Sequence, residues 1–254
     1  MGFVPFTKNY TVSAHRDFTI TAVYTNDIDS VDAWINNAKG FLAGCDIKIV
    51  GVDIEYTVRV YSRNRGSVQK AAVIHVCVGK HCLVYHICFA AEGIAASFDA
   101  FLRNMRYRFA GFDISKDKTM LYRSAKPLFI MNHVDIHAIW CNPDRTSFWN
   151  DRLMDVAALF VDPSYKDYNG GLTDADHRLS GAEYLSDEHV NYAVKNAFVC
   201  SELYKKLHIY ERGFFHSLCT NKKDFGKKEW GWGWRDEHLE KANIEDDEEY
   251  EWKY

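Results

Sequence analysis

The stretch IKIVGVDIEY, residues 47–56, is a β-branched apolar run that ends in two carboxylates. Its composition predicts a buried β-strand. Asp53 and Glu55 are separated by one residue, so both side chains lie on the same face of that strand. Two carboxylates beside a buried sheet repel each other unless a cation lies between them, and Mg²⁺ or Mn²⁺ would relieve that repulsion. A solvated strand end is the simpler alternative.

Strands and helices alternate on both sides of this stretch. The runs 71–78 and 82–89 are separated by three residues that begin with Gly79, which is hairpin spacing. The predicted strands are 18–25, 47–56, 71–78, 82–89, 107–114 and 134–140. The predicted helices are 31–42, capped by Asp29 or Ser30, and 93–105, 117–125, 149–160 and 186–207. This order predicts an α/β fold, a ribonuclease-H-like mixed sheet flanked by helices, although other three-layer α/β folds share it.

The segment 186–207 carries the strongest helix pattern. Ser186 is placed to cap it, and two acids follow in the first turn, where they favour the helix dipole. Apolar residues then recur every three or four positions, which predicts a buried face. They are Val190, Val194, Ala197, Cys200, Tyr204 and Leu207.

Length, composition and cysteine usage narrow the class of protein. The chain has 254 residues, 47% hydrophobic and 26% charged, which are values typical of a globular protein. No apolar run is long enough for a membrane span, and residues 1–5 lack a signal-peptide pattern. Seven cysteines without C-x-x-C spacing predict neither a disulfide framework nor a zinc ribbon. We therefore expect an intracellular protein, in the nucleus or the cytoplasm.

The two ends of the chain differ from its middle. We predict an N-terminal arm over 1–17, a single domain over 18–220, and an arm and tail over 221–254. Residues 236–254 carry nine acids and two lysines, whereas the other 235 residues have a net charge of +3. Four lysines and three alternating tryptophans precede the acidic tail. Such an arm can stack bases, or it can pack onto this domain or onto a neighbouring subunit of a homo-oligomer, and packing is favoured over stacking.

Three motifs in the same order resemble those of the 3′–5′ exonucleases with a DEDD carboxylate set, of the DEDDy type. The likeness is in particular to plant proteins similar to the exonuclease domain of the Werner syndrome helicase. Residues 50–56 resemble the first motif, 109–117 the second and 185–193 the third. Residues 72–78 and 82–85 are similar to the intervening strands, and the likeness spans about 45–208. The resemblance implies a ribonuclease-H-like domain that removes nucleotides from the 3′ end of a nucleic acid.

The resemblance also assigns roles to individual residues. It implies that Asp53 bridges two ions of Mg²⁺ or Mn²⁺, that Glu55 completes one site, and that Asp117 holds the second ion. The two ions then activate a water and stabilise the leaving oxygen. Tyr192 positions that water. The fourth carboxylate belongs four residues after Tyr192, on the same helix face, and this chain has Asn196 there.

This chain departs from the family motifs at several positions. Asn196 supplies a neutral oxygen where the site needs a full negative charge. Tyr56 replaces a tryptophan usual after the first motif, and Ser180, Glu183 and Tyr184 interrupt an aromatic-basic-proline signature. Losing several kcal/mol of transition-state stabilisation lowers the rate roughly a thousandfold or more. We therefore predict weakened hydrolysis, with a catalytically silent nucleic-acid-binding or assembly module as the alternative.

Basic residues after the first motif predict contact with phosphates, with a solvated polar loop as the default alternative. These residues are Arg59, Arg63, Arg65 and Lys70.

Two other sets of side chains have metal-ligand chemistry. His75, Cys77, His86 and Cys88 lie on the predicted hairpin and suit zinc, but burial between sheet and helices is the favoured interpretation. His133 and His137 flank Asp135 in a predicted strand, where a four-residue spacing does not bring them together, so we exclude them as ligands.

Overall fold

The computed structural model describes residues 3–57, 60–62, 66–68, 70–90, 93–122, 127–139, 152–166, 168, 172 and 178–220. For 60–62, 66–68, 139, 178–179 and 207–220 it describes the backbone alone. The predicted phosphate-binding side chains Arg59, Arg63 and Arg65 lie outside the described residues, as does the predicted arm and tail over 221–254. The chain divides into residues 1–209, which carry the sheet, and 210–254, of which 210–220 are helical.

A seven-stranded mixed sheet forms the centre of the domain, in the order β1-β2-β7-β6-β3-β8-β9. The strands are β1 Thr7–His15, β2 Phe18–Thr25, β3 Ile49–Tyr56, β6 Ala71–Val78, β7 His81–Tyr85, β8 Arg108–Gly111 and β9 His133–Asp135. Two short strands, β4 Val60–Ser62 and β5 Gly66–Val68, pair separately. β3 pairs antiparallel with β6 and parallel with β8, so it is an inner strand.

Helices cover both faces of the sheet. They are α1 Ile28–Ala43, α2 Ala96–Leu102, α3 Ile114–Tyr122, α4 Ile136–Ile139, α5 Leu153–Phe160 and α6 Asp187–Thr220. One apolar cluster joins α1, α2 and α3 to one face, and a second joins α5 and α6 to the other. The predicted α/β mixed sheet with a ribonuclease-H-like arrangement is confirmed. None of the helices in the described part of the chain has the length and apolar character needed to cross a membrane.

The predicted helix 186–207 is present as α6. The backbone N–H of His189 donates to the Ser186 hydroxyl at 3.4 Å, and that of Val190 donates to the Ser186 carbonyl at 3.1 Å. Ser186 therefore caps the helix as predicted. The predicted apolar face is buried at Val190, Val194, Ala197, Cys200 and Tyr204, and the side chain of Leu207 lies outside the described residues.

Several predicted elements have other bounds in the structure, among them the helix predicted over 117–125, which is Ile114–Tyr122. Two of the differences have local reasons. α1 begins three residues early, because the Asp27 carboxylate accepts from the Ser30 backbone N–H at 3.0 Å. The cap is therefore Asp27, not Asp29 or Ser30. The strand predicted over 134–140 ends at Asp135, whose carboxylate accepts from the His137 backbone N–H at 3.1 Å and begins the short α4.

The first strand was not expected from the sequence. β1 lies within the segment that the sequence assigns to an N-terminal arm, and it pairs antiparallel with β2. Only Val12 and Ala14 are buried along it, so its apolar alternation is weak. The predicted hairpin between β6 and β7 is present, with Gly79 at φ +59° in the turn. The turn has two residues rather than three, because Val78 pairs with His81, and β7 ends at Tyr85, before the 3₁₀ turn Ile87–Phe89, rather than at residue 89.

Gly51 allows α6 to lie directly against β3. A Cβ at this position would collide with the carbonyl oxygen of Ala197 and come within 2.9 Å of the Ser201 backbone nitrogen. Any side chain here would therefore push the helix away from the strand. This close approach brings the face of α6 to Asp53, two residues further along β3.

Candidate active site

Asp53 is held by groups from the neighbouring strand and from α6. Asn196 Nδ2 donates to Asp53 Oδ2 at 3.1 Å, and His75 Nδ1, from β6, lies 3.5 Å from the same oxygen. Burial acts to raise the pKa of Asp53, but His75, Asn196 and the Ile54 backbone N–H outweigh it and lower the pKa. Asp53 is therefore the ionised member of the site.

Glu55 lies on the same face of β3 and is largely protonated at neutral pH. Burial raises its pKa to about 8, and the charges of Asp53 and Asp117 act in the same direction. A hydrogen bond from Ser180 opposes this rise. The negative charges of the other two acids thus add to the effect of burial on Glu55.

Asp117 reaches the same region from the other face of the sheet. It lies in the first turn of α3 with 6% of its surface exposed, and the Tyr56 hydroxyl donates to its Oδ1. Burial and the charge of Asp53 raise its pKa to about 8. Gly111, the last residue of β8, lets α3 begin close to the sheet, since a Cβ there would lie 2.9 Å from Cβ of Ile114, the first residue of α3, and 3.0 Å from the Val52 carbonyl oxygen.

Asp113, the other acid within residues 109–117, faces elsewhere. It has φ +60°, is exposed, and its Oδ1 lies 2.6 Å from His137 Nδ1. The structure therefore places Asp117, and not Asp113, beside Tyr56.

Tyr192 and Asn196 complete the group from one face of α6. Burial raises the pKa of Tyr192 to about 12, a hydrogen bond with Asn196 opposes the rise, and the charges of Asp53 and Glu55 add to it. Asn196 is 5% exposed. Its Oδ1 is buried and has no hydrogen-bond partner among the described residues. All five residues that the resemblance assigns to catalysis thus interact with at least one other member.

The arrangement of these side chains does not fit a two-ion site as it stands. The fourth position is an amide, and each of the three acids already accepts a hydrogen bond from the chain itself. Across the described part of the chain, no three histidine, cysteine, aspartate or glutamate side chains form a group that could hold a metal ion. Binding of Mg²⁺ or Mn²⁺ by Asp53, Glu55 and Asp117 therefore stays a prediction.

The other histidines and cysteines have different neighbours. His86 Nδ1 lies 2.8 Å from the Tyr24 hydroxyl, which accepts the Leu185 backbone N–H at 2.8 Å. This network ties β2 and the end of β7 to the segment before α6. His133 Nδ1 lies 2.8 Å from Lys118 Nζ. His75, Cys77 and His86 are buried, as the favoured interpretation of the sequence predicted, whereas Cys88 is only partly buried.

Two side chains at the site were not given a role by the sequence. His75 is fully buried and opposite Asp53 in the antiparallel register. Ser180, 2% exposed, lies in the 3₁₀ turn Arg178–Gly181. The strand register could have pointed to His75, since residues opposite each other on paired strands share a face. No sequence signal points to the contact between Ser180 and Glu55.

Comparisons with known proteins support the fold. No protein-family model and no curated protein matches the chain. The EXO domain of Nibbler from Aedes aegypti has a TM-score of 0.52 at 13% identity, over 75% of this chain and 88% of that one. The catalytic core of RRP6 from Trypanosoma brucei has a TM-score of 0.54 at 14% identity, over 76% of this chain and 49% of that one. RNase D from the same organism, in complex with RNA U12, has a TM-score of 0.51 at 14% identity, over 72% of this chain and 62% of that one.

This chain therefore spans about half to nine tenths of the solved structures it resembles. At these identities the likeness concerns the path of the backbone. It agrees with the mixed seven-stranded sheet and its flanking helices. The chain has the ribonuclease-H-like fold of 3′–5′ exonuclease domains.

Proposed function

We propose that this protein engages the 3′ end of a nucleic-acid strand as an exonuclease-like processing protein whose phosphodiester hydrolysis is strongly weakened. One observation carries the proposal. Asn196, one turn after Tyr192 on α6, contacts Asp53 at 3.1 Å near the end of the inner strand β3. This is the position at which the motifs that the chain resembles place a fourth carboxylate.

The charge of the site supports the weakening. Asp53 is ionised, whereas the pKa values of Glu55 and Asp117 are raised to about 8, so both are mainly protonated at neutral pH. The cluster then has about one negative charge. A divalent cation must displace those protons before it can bind, and the amide of Asn196 adds no charge to help it.

Nucleic acid is the proposed partner. RNase D from Trypanosoma brucei, which shares this fold, was solved with RNA U12. Lys70 is exposed where the chain enters β6, beside the loop that follows the first motif. Arg59, Arg63 and Arg65 of that loop are proposed to contact the phosphates of the strand.

The test is an assay with a single-stranded oligonucleotide labelled at its 5′ end, in Mg²⁺ and in Mn²⁺. We expect slow, stepwise shortening of the oligonucleotide from its 3′ end, seen as a ladder of products. This shortening should disappear in Asp53→Ala and in EDTA. Asp29→Ala, a change on α1 away from β3, is the matched control and should leave the ladder unchanged. Absence of both cleavage and binding would contradict the proposal.

The second candidate is a silent module that binds nucleic acid or supports assembly without cleavage. One observation favours this candidate. Each of the three acids accepts a hydrogen bond from another side chain of the protein, so each has a partner without a cation. In the same assay this candidate predicts a shift in oligonucleotide mobility with no products in either metal.

A further inference from the structure

Three of the positions at which this chain departs from the exonuclease motifs share one property. Each carries a neutral hydrogen-bond donor that contacts one of the three acids, and each acid receives one such donor. The pairs are Tyr56 with Asp117, Ser180 with Glu55, and Asn196 with Asp53.

Strand alternation directs Tyr56 to its partner. It places Tyr56 on the opposite face of β3 from Glu55. This is the face that α3 covers, and Tyr56 packs against the apolar cluster there, at a point where the register with β6 shifts. Burial raises the pKa of Tyr56 well above its usual range, so its hydroxyl keeps its proton and donates to Asp117.

Close packing of a 3₁₀ turn against the end of β3 positions Ser180. The turn Arg178–Gly181 includes Gly181, where a Cβ would lie 3.3 Å from Thr57 Cγ2. Ser180 is 2% exposed and its side chain hydrogen-bonds to Glu55. The hydroxyl is thus fixed beside the carboxylate by backbone contacts rather than by a long flexible side chain.

The amide of Asn196 lies in the space that a shared cation would need. Its Nδ2 is 3.1 Å from Asp53 Oδ2, and its Oδ1 has no partner among the described residues. The NH₂ group, which carries only donors, therefore faces the carboxylate. A cation between residue 196 and Asp53 would have to displace it.

We propose that Tyr56, Ser180 and Asn196 form a donor set that holds the three acids in place without a divalent cation and competes with cation binding. The proposal concerns the same site as the proposed function and rests on it for the identity of that site. Each donor satisfies an acceptor that a metal ion would otherwise use. Removing a donor therefore makes cation binding tighter, even though no ligand is added.

The test measures Mg²⁺ binding by the full chain without nucleic acid, from thermal unfolding in increasing MgCl₂ at pH 9. At this pH, above the pKa of about 8 of Glu55 and Asp117, competition from protons is small. We expect Tyr56→Phe and Ser180→Ala each to lower the apparent Mg²⁺ dissociation constant about tenfold, the worth of one hydrogen bond to a charged acceptor.

Tyr10→Phe is the matched control. The Tyr10 hydroxyl also donates to an aspartate, Asp187, at 3.0 Å. Asp187 lies nine residues before Asn196 on α6, about 13 Å along the helix axis. This variant loses the same kind of hydrogen bond and should bind Mg²⁺ as the wild type does.

Equal Mg²⁺ affinity in wild type, Tyr56→Phe and Ser180→Ala would overturn the proposal, and so would tighter binding in Tyr10→Phe. Unfolding in EDTA shows whether each variant folds, and Ser180→Ala provides the test if Tyr56→Phe does not fold. If the protein fails to bind oligonucleotides, the proposed function is lost, but the Mg²⁺ comparison still decides the donor set.

Discussion

At the scale of single residues, the amide of Asn196 affects the charge of the whole site. The amide donates to Asp53 and helps to lower its pKa, while Asp53 in turn raises the pKa values of Glu55 and Asp117 to about 8. One ionised acid and two mainly protonated acids result at neutral pH. The stability of the metal-free protein must then depend on pH through these groups.

The variant Glu55→Gln cannot titrate at this position, so comparing it with wild type isolates the part of the pH dependence of stability that comes from Glu55. The folded-state pKa of Glu55 is about 8 against an ordinary value of 4.5, so between these values the folded protein binds a proton that the unfolded chain releases. Its contribution is favourable below pH 4.5 and is lost as the pH rises toward 8. From pH 5 to 9 in EDTA, wild type should lose about 4 kcal/mol of unfolding free energy relative to Glu55→Gln, measured by urea unfolding. Parallel stability curves for the two proteins would show that Glu55 titrates normally.

At the scale of elements, the sequence predicted best where burial is strong. The ranges of β2 and β6 agree with the prediction, since their apolar runs are long and bounded by turns. The hairpin turn at Gly79 and the buried face of α6 agree for the same reason. By contrast, β1 has only two buried side chains, and β9 ends where a side chain caps the next helix.

The candidate site likewise contains some contacts that the sequence pattern predicts and others that it does not. Asp53 and Glu55 share a face of β3 because strand alternation requires it, and the spacing of Tyr192 and Asn196 requires a shared helix face. Periodicity could therefore predict both pairs. The contact of Tyr56 depends on where α3 begins, and that of Ser180 on a 3₁₀ turn, and neither feature has a periodic pattern in the sequence.

The contact between α6 and β3 depends on Gly51. Gly51→Ala places a methyl group against the backbone of Ala197, so the helix must move and the hydrogen bond from Asn196 to Asp53 must lengthen. We expect a loss of about 3 kcal/mol or more in unfolding free energy, at the upper end of overpacking effects. Gly40→Ala is the control, because nothing lies within 4 Å of a Cβ there. On the exposed side of α1 it should be neutral or stabilise by about 0.5–1 kcal/mol. Equal stability of the two variants would contradict this account of the helix–strand contact.

The start of α1 offers a comparison between two nearby aspartates. Asp27 Oδ2 accepts from both the backbone N–H and the hydroxyl of Ser30, at 3.0 and 2.7 Å. Asp27→Ala should therefore cost about 1 kcal/mol in thermal or urea unfolding. Asp29→Ala removes only a first-turn charge and should cost a few tenths of a kcal/mol. The reverse order would mean that the helix begins where the sequence pattern placed it.

At the scale of the whole molecule, the candidate site lies where the two layers of helices meet the same strand. α6 approaches β3 from one face through Gly51, and α3 reaches it from the other through Gly111. Asp53 and Glu55 come from the strand, Asn196 from the first helix and Asp117 from the second. The fold shared with 3′–5′ exonuclease domains thus brings together residues far apart in the chain.

The most direct test of this account is the rate of nucleotide release from a single-stranded 3′ end in Mn²⁺, compared between wild type and Asn196→Asp. The change is nearly isosteric, adds the missing charge and removes the amide donor on Asp53. We predict a rate at least about tenfold higher in Asn196→Asp, a difference of about 1.4 kcal/mol in the barrier, lowered again by Tyr192→Phe. If Asn196→Asp folds and binds the oligonucleotide but cleaves no faster than wild type, the protein has lost more than one ligand and the account is contradicted.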